Sequence, residues 1–424
     1  MPFVRGSFRD LPREVAILSA VSFTVALGYG IVAPAIPAFA RQFGVSVAAA
    51  AGVISVFALM RVAGALPAGR LVDRFGEPAV MAAGITVVAV SSVLAGFSRS
   101  FGELVVLRGG GGLGSAMFSV SAQAQLLASV PAAQRGRATG LFSGGFLLGG
   151  ISGPAVGGLV AAWSLRAPFF IYGGLLIVPA VIAAVILRQA PRPQAPPAPP
   201  AAPAPVPPSP PAVPAPPAPS APPLTVLAHA LRSRAYRAAA SANLADGFAA
   251  LGVRGAVVPL FVRDILHRSA VWTGLGFLVF TALNGAALLP AGRIADTLGR
   301  RPVLIAGCAT TAVGMVMLAV LPGLWAYMAA LAVAGLGSGL LDVAPAAMIG
   351  DMLGRRGGIL IASYQMAGDA GAVIGPVAAG FLVDAASYAA AFALAAAVLA
   401  VAAVLAVFSP ETSPAISGPV PVSQ

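Results

Sequence analysis

The stretch GRLVDRFG at residues 69–76 returns as GRIADTLG at residues 292–299, an offset of 223 positions. Other pieces of the chain return in the same order, at offsets of 222 or 223. They are GLGS at 112–115 and 335–338, Gly-Pro at 153 and 375, and P-x-F-x-R at 37–41 and 259–263. Ordered repeats in nearly one register indicate that the second half of the chain duplicates the first.

The composition is that of a membrane protein. Hydrophobic residues make up 58% of the chain and charged residues 9%, whereas a soluble domain typically carries about 25% charged residues. Twelve apolar stretches come close to the roughly 20 residues that a membrane helix needs. They are 15–39, 48–69, 78–98, 102–127, 137–161, 166–187, 236–262, 272–292, 303–321, 324–350, 358–383 and 385–408. Helices are predicted because an open sheet leaves backbone groups unpaired in lipid.

The arginines predict the topology. All 25 basic residues other than histidine are arginine. If both termini are cytoplasmic, 17 arginines fall on the cytoplasmic side, five on the outer side and three within spans. This excess follows the positive-inside rule and predicts a multi-pass protein of the cell (inner) membrane. The first apolar run resembles a signal peptide, but it is too long, and its end is repeated inside the chain. We expect it to be retained as the first span.

The chain divides into four segments. We predict an N-terminal six-helix bundle, a Pro/Ala-rich cytoplasmic linker, a C-terminal six-helix bundle and a disordered tail, at 1–188, 189–235, 236–410 and 411–424. Proline-alanine sequence favours extended geometry and cannot bury a core, so a semi-rigid tether is favoured over an SH3-type ligand.

Several function classes are disfavoured by what the chain lacks. One cysteine and two histidines cannot supply a multi-ligand zinc site or an intramolecular disulfide. The sequence has no P-loop, H-E-x-x-H or G-x-S-x-G. Its arginines form no basic soluble face of the kind that binds nucleic acid. We therefore expect no enzyme activity, no cofactor, no metal and no nucleic-acid partner.

The repeated loops carry the most specific motif. Their glycines allow a tight turn between helices, and their acid can cap a helix N-terminus or pair with arginine. The motif residues are Gly69, Arg70, Asp73, Arg74, Gly76, Gly292, Asp296, Gly299, Arg300 and Arg301. A plain charged turn is the alternative, but matched motifs at equivalent loops disfavour it. We expect Asp73 to latch near the inner end of the eleventh span.

At these loops the chain resembles the major facilitator superfamily, over about residues 10–410. The run RGGGGLG at 108–114 resembles a second family motif, and GGISGPAVGG at 149–158 resembles the motif of its twelve-helix drug–proton antiporters. The chain departs from the pattern at Glu77-Pro78, where paired basic residues are usual, and its first span lacks an intramembrane acid. The resemblance implies an all-α membrane protein of twelve transmembrane helices, in two six-helix bundles related by pseudo-two-fold symmetry, that works by alternating access.

The glycines of the fifth span also have a physical reading. Small residues four apart let helices pack closely, and Gly-Pro can kink a helix. Pure packing and a direct role in gating fit equally well. We interpret as conformational Gly149, Gly153, Pro154, Gly157 and Gly158.

Charges inside the spans indicate where function lies. Each costs about 2.5–3.5 kcal/mol on insertion scales, so it faces a cavity or a partner. They are Arg61, Arg108, Arg254, Asp246, Asp342 and Asp369. Depth along the spans makes Asp246 and Asp369 the candidates for proton coupling, whereas Asp342 is interpreted as structural. Asp246 and Arg254 lie too far apart along one helix to pair directly. The alternative is that each acid pairs with an arginine of another helix.

Three functions compete. Proton-coupled efflux of amphipathic or drug-like small molecules is favoured by the fifth-span motif and by many apolar residues. Uptake or exchange of a sugar or organic anion is weakened by the scarcity of mid-span polar groups, which are Gln123, Gln125, Asn284, Tyr364 and Gln365. A non-transporting membrane sensor would call for a folded soluble domain. The expected partners are a small-molecule substrate, protons and the lipid bilayer, and the expected state is monomeric.

Overall fold

The computed structural model describes residues 12–131, 134–185, 230–321, 323–352 and 358–413. Twelve helices in these ranges are long and apolar enough to cross a membrane, as the sequence predicts. In the first half they are α1 (Arg13–Val32 and Ala35–Arg41), α2 (Val47–Phe75), α3 (Glu77–Phe97), α4 (Phe101–Ala128), α5 (Arg135–Trp163) and α6 (Ala167–Leu175 and Ile177–Val185). In the second half they are α7 (Arg234–Gly247, Phe248–Val257 and Val258–Asp264), α8 (Ala270–Leu298), α9 (Arg300–Val320), α10 (Leu324–Leu341 and Ala344–Met352), α11 (Gly358–Ala385) and α12 (Tyr388–Val407).

A proline follows the break in three of these helices. A proline lacks the N–H donor and crowds the carbonyl four residues earlier. In α1 the carbonyl four residues before Pro37 is that of Ala33, and the helix is interrupted there. In α10 the carbonyl four residues before Pro345 is that of Leu341, where the first segment ends. In α7 the middle segment, Phe248–Val257, is a π-helix that ends just before Pro259. The repeated prolines thus interrupt α1 and α7 at equivalent points.

The helix ends define two faces of the bundle. We call one the arginine-rich face because the helix ends that meet there, at the α2–α3 and α8–α9 turns, carry Arg70, Arg74, Arg293, Arg300 and Arg301. Gly69 and Gly292 both lie near this face, as the duplication predicts. Gly76 and Gly299 form the two turns with φ of 82° and 104°, a region that side chains other than glycine rarely adopt.

The opposite, arginine-poor face carries an aromatic belt. The three tryptophans of the chain, Trp163, Trp272 and Trp325, lie in the last or first turn of α5, α8 and α10 at this face. Trp163 is 91% exposed and Trp325 is 77% exposed. Such rings are typical of the membrane–water interface. The belt therefore marks a bilayer boundary at the arginine-poor face.

Glycine contacts build each half in the same way. Gly149, Gly153 and Gly157 of α5 rest on the backbone of α1, and Gly371 and Gly375 of α11 rest on α7. The two sets correspond at an offset of 222 positions. Small residues allow this close approach of backbones in a membrane. The α5 glycines therefore lie at a close contact between helices, which is compatible with packing and with gating alike.

The halves meet at the arginine-poor side. There α5 packs against α8 and α2 against α11. A Cβ on Gly158 would lie 2.6 Å from Cα of Gly274, across the boundary between the halves. The Asp384 carboxylate of α11 accepts hydrogen bonds from the backbone N–H groups of Val47 and Ala48, at 2.9 and 2.7 Å, and so caps α2 of the other half.

The arginine-rich side is open. Among the described residues, α4 and the second segment of α10, which both end at this side, make no substantial contact with the other half. The side chain of Asp73 is exposed there and forms no hydrogen bond or ion pair within the described part of the chain. The structure is therefore closed at the arginine-poor face and open at the arginine-rich face.

This arrangement predicts the effect of a side chain at the Gly158–Gly274 contact. Gly158→Leu should prevent α5 and α8 from closing and shift the protein toward a state open at the arginine-poor face. The readout is labelling of Ile54→Cys, which is 4% exposed, by a membrane-impermeant maleimide added from that face in a variant without Cys308. Gly110→Leu is the control, because a Cβ at Gly110 meets nothing within 4 Å. Equal labelling of both variants would contradict the closure described above.

Candidate functional site

A cavity of about 340 Å³ lies between the two halves. The first half lines it with apolar and aromatic groups of α1 and α5, including Tyr29 and Phe146. The second half adds Phe277 and Phe280 of α8. Ligand sites are typically concave and mostly apolar, with a few polar groups that orient the ligand. The cavity has this character.

The polar groups of the cavity all come from the second half, apart from Tyr29. The carboxylate of Asp246 on α7 accepts a hydrogen bond of 3.1 Å from the Ser338 hydroxyl on α10. The carboxylate of Asp342, at the break in α10, accepts a hydrogen bond of 2.8 Å from the Asn284 amide on α8. Asp246 is partly buried and Asp342 is exposed to the open cavity. Two carboxylates from distant parts of the sequence thus share one wall.

Arg254 supplies a positive charge to the same wall. Its guanidinium carbon lies 3.9 Å from the centre of the Phe280 ring, which is favourable for a cation on an aromatic face. Arg254 is close enough to Asp246 and Asp342 to interact with both electrostatically. It forms a direct ion pair with neither, in keeping with the spacing along α7. We call Asp246, Asp342 and Arg254 the cavity charges.

The duplication does not repeat the cavity charges. At offsets of 222 or 223, the positions equivalent to Asp246, Arg254 and Asp342 are Thr24, Val32 and Ser119. The first half therefore contributes an uncharged wall and the second half a charged one. The pseudo-symmetry of the fold is broken at the site.

Asp369, the second candidate for proton coupling, lies elsewhere. Its carboxylate forms an ion pair of 2.5 Å with Arg61, from α11 to α2. The pair joins the two halves at mid-helix, on the inner side of the Asp384 contact. Asp369 thus follows the alternative in which an acid pairs with an arginine of another helix.

Arg108 is buried inside the first half. The side chain is 1% exposed, and its guanidinium carbon lies 4.6 Å from the centre of the Phe57 ring. Its Nε and Nη1 atoms form no hydrogen bond within the described residues. The ring contact is therefore its main observed stabilisation, and Arg108 does not line the cavity.

The repeated loops differ between the halves. In the first, Asp73 has no partner among the described residues, and Arg74 lies over the Phe75 ring. In the second, Arg300 forms ion pairs with Asp296 at 2.7 Å and with Asp351 at 3.1 Å. The predicted pairing of the loop acid with arginine is thus observed in the second loop.

Glu411 also holds the second loop, although the sequence motifs did not point to it. Its carboxylate accepts hydrogen bonds from the backbone N–H groups of Arg300 and Arg301, at 2.8 and 3.1 Å, and caps α9. The N–H groups of Thr412 and Ser413 also donate to it. The predicted tail at 411–424 therefore begins with three residues that belong to the bundle, and 414–424 lie outside the described residues.

The residues that contact the cavity charges carry little signal in the sequence. Ser338 belongs to the repeated GLGS stretch, and Asn284 is one of the few polar residues in mid-span, so each carried a weak signal. The aromatic residues, such as Phe146 and Phe280, carried none, because most phenylalanines in a membrane chain face lipid or pack between helices.

A protein family matches most of the chain. The family model for the Major Facilitator Superfamily matches residues 18–248 and 239–424. Multidrug resistance protein 2 of Bacillus subtilis is 27% identical over 187 residues, which are 44% of this chain and 47% of that protein. Multidrug resistance protein 1 of the same organism is 29% identical over 178 residues, 42% of this chain and 46% of that protein.

A third relative is the quinolone resistance protein NorA of Staphylococcus aureus, 25% identical over 177 residues, 42% of this chain and 46% of that protein. The chain aligns with about half the length of these curated relatives. Two solved structures of a bacterial homolog to the human lysosomal transporter Spinster share the fold. The inward-facing and occupied form has a TM-score of 0.75 at 14% identity and covers 93% of this chain and 95% of its own. The inward-facing and unoccupied form has a TM-score of 0.73 at 15% identity and covers 95% and 96%.

The Glu411 cap predicts a pH-dependent contribution to stability. Burial alone would raise the pKa of Glu411, but the backbone N–H donors of Ser413, Arg300, Arg301 and Thr412 outweigh it and hold the pKa below its usual value. A lowered folded-state pKa means that the stabilisation is present above the ordinary glutamate pKa and is lost as pH falls through the folded value.

Glu411→Gln should therefore destabilise the protein at neutral pH by about 1 kcal/mol, the usual value of a helix cap. The difference from the wild type should shrink as pH falls below about 4. Thermal unfolding in detergent at several pH values measures it. Glu77→Gln is the control, because Glu77 begins α3 without a side-chain capping bond. A destabilisation that does not change with pH would contradict the role of the carboxylate charge.

Proposed function

Because the chain belongs to the Major Facilitator Superfamily, we propose that it is a secondary active transporter that exports amphipathic, drug-like molecules in exchange for protons. One observation carries the proposal: two carboxylates, Asp246 and Asp342, line an otherwise mostly apolar cavity between the halves. The names of the multidrug and quinolone resistance relatives support it. The apolar and aromatic walls suit the body of an amphipathic molecule.

We place the arginine-rich face at the cytoplasm, with both termini there, in the cell (inner) membrane. The positive-inside rule supports this orientation. The structure then corresponds to the state in which the cavity is open to the cytoplasm and closed to the outside. A substrate enters from the cytoplasm in this state and leaves after the halves rock to the other side.

We assign proton coupling to Asp246. Asp369 is already neutralised by Arg61 at 2.5 Å, whereas the Asp246 carboxylate receives a neutral hydroxyl donor. A carboxylate that loses contact with water is costly to keep ionised, and one that regains water is not. A proton taken up from the outside is therefore released when the cavity opens to the cytoplasm, where the substrate replaces it.

The loop acid Asp73 fits a latch for the opposite state. It lies exposed at the open face in the state observed, with no bonding partner in the part of the chain that the structure describes. When the arginine-rich face closes, an anion there can cap the start of α11, which is favourable at a helix N-terminus. We assign this role to Asp73 in the outward-open state.

The coupling proposal predicts the phenotype of Asp246→Asn. The amide imitates the protonated acid without changing the shape of the cavity. ΔpH-driven efflux should fall to the level of protein-free vesicles, while substrate still binds. The measurement is accumulation of a panel of fluorescent cations and neutral dyes in inverted vesicles, together with binding to the purified variant.

Asp369→Asn is the matched control, and it should still build a substrate gradient. If Asp246→Asn concentrates substrate against its gradient using ΔpH, Asp246 is not the coupling residue and Asp369 takes its place as the candidate. If no dye responds to ΔpH in the wild type, the efflux proposal itself fails.

The latch predicts that Asp73→Asn lowers transport while the amount of protein in the membrane stays normal. Loss of the cap should favour the state open at the arginine-rich face. The measurement is the transport rate per unit of folded protein, with Glu77→Gln as the control in the same loop. Unchanged transport by Asp73→Asn would count against the latch.

A further inference from the structure

We propose that Arg254 limits the molecules that the cavity accepts to those carrying a single positive charge. The inference rests on the proposed function in one respect, that the cavity between the halves is the substrate site. It adds the charge of the substrate and the residue that sets it.

The charge of the cavity wall can be counted. Among the residues that line it, the carboxyl and guanidinium groups are those of Asp246, Asp342 and Arg254. With both acids ionised the wall carries one net negative charge. A bound monovalent cation makes the wall and the substrate together neutral. A bound divalent cation gives them a net charge of one positive.

Arg254 is held as a fixed charge rather than as a partner of one acid. Its guanidinium lies on the face of the Phe280 ring, and its backbone lies in the π-helical segment of α7. The acids receive neutral donors instead, Ser338 for Asp246 and Asn284 for Asp342. Both carboxylates therefore stay available to a substrate cation, while Arg254 lowers the net charge of the wall.

The position of Arg254 lets it repel a second positive charge. A cation that reaches both carboxylates also comes close to the guanidinium. At separations of about 8 Å and an effective dielectric constant of about 20, two unit charges interact by about 2 kcal/mol. The repulsion grows when the halves close around the substrate and exclude water. Because Arg254 offsets one of the two carboxylates, a second positive charge would lose its water without gaining an anion of its own, and that cost disfavours a dication.

The limit also fits proton exchange. When Asp246 takes up a proton, the net charge of the wall becomes zero and the balance that held a monovalent cation is lost. When the proton leaves, one cation restores it. One proton and one monovalent cation thus neutralise the same net negative charge of the wall, one after the other.

The test uses two probes with the same skeleton and different charge. N-methyl-4,4′-bipyridinium carries one positive charge at pH 8, and N,N′-dimethyl-4,4′-bipyridinium carries two. Binding to the purified full chain is measured by calorimetry for the wild type, Arg254→Gln, Arg254→Lys and the double variant Arg254→Gln/Asp342→Asn. With every remaining acid of the wall ionised, its net charges are one, two, one and one negative.

We expect the wild type and Arg254→Lys to bind the monovalent probe at least about tenfold more tightly than the divalent one. Arg254→Gln should gain affinity for the divalent probe by about tenfold or more. The double variant should lose that gain, because its charge returns to one although Arg254 is still absent. That reversal separates charge from any change in shape.

Three results would overturn the proposal: a wild type that binds both probes equally, an Arg254→Gln variant that gains no divalent binding, or a double variant that keeps the gain. If Arg254→Gln does not fold, the ratio in the wild type and in Arg254→Lys decides. The assay needs no pH gradient. A charge pattern as expected without ΔpH-driven efflux would reject proton coupling alone, and efflux without the pattern would reject the role of Arg254 alone.

Discussion

A charge or an unpaired backbone group cannot face hydrocarbon without a large cost, and the structure follows from this constraint. It makes every span a helix and turns every intramembrane charge inward. Arg61 and Asp369 satisfy each other across the halves. Arg108 lies against an aromatic ring within its own half. The cavity charges are what remains, and they lie where the two halves leave an open space.

Glycine determines how closely the helices pack within and between the halves. Within each half, equivalent glycines such as Gly149 and Gly371 bring helix backbones together, so each half is firmly packed. Between the halves, the glycine contacts described here lie at the arginine-poor side, for example where Gly158 meets Gly274. Such a contact can close fully and part again, because no side chain interlocks it. Rigid halves that meet at a smooth contact are suited to alternating access.

The proposed substrate site lies where the duplication was not kept. Gly76 and Gly299 still form the same turn in both halves, because the backbone there has the same path. The cavity positions have diverged, and the equivalents of the charged residues in the first half are uncharged. An asymmetric wall can hold a charged molecule on one side and its apolar body on the other.

The sequence by itself determined the twelve helices, the duplication, the arginine-rich face and the depth of each intramembrane charge. These features depend on apolar length, local spacing and charge, which can be read along the chain. Only the tertiary structure decided which charges share a space. It separated Asp369 from Asp246 and brought Asp342 beside Asp246, and it recruited Glu411 to cap α9. Depth along a helix fixes the height of a residue in the membrane, but the direction in which it points depends on how helices from distant parts of the chain pack together.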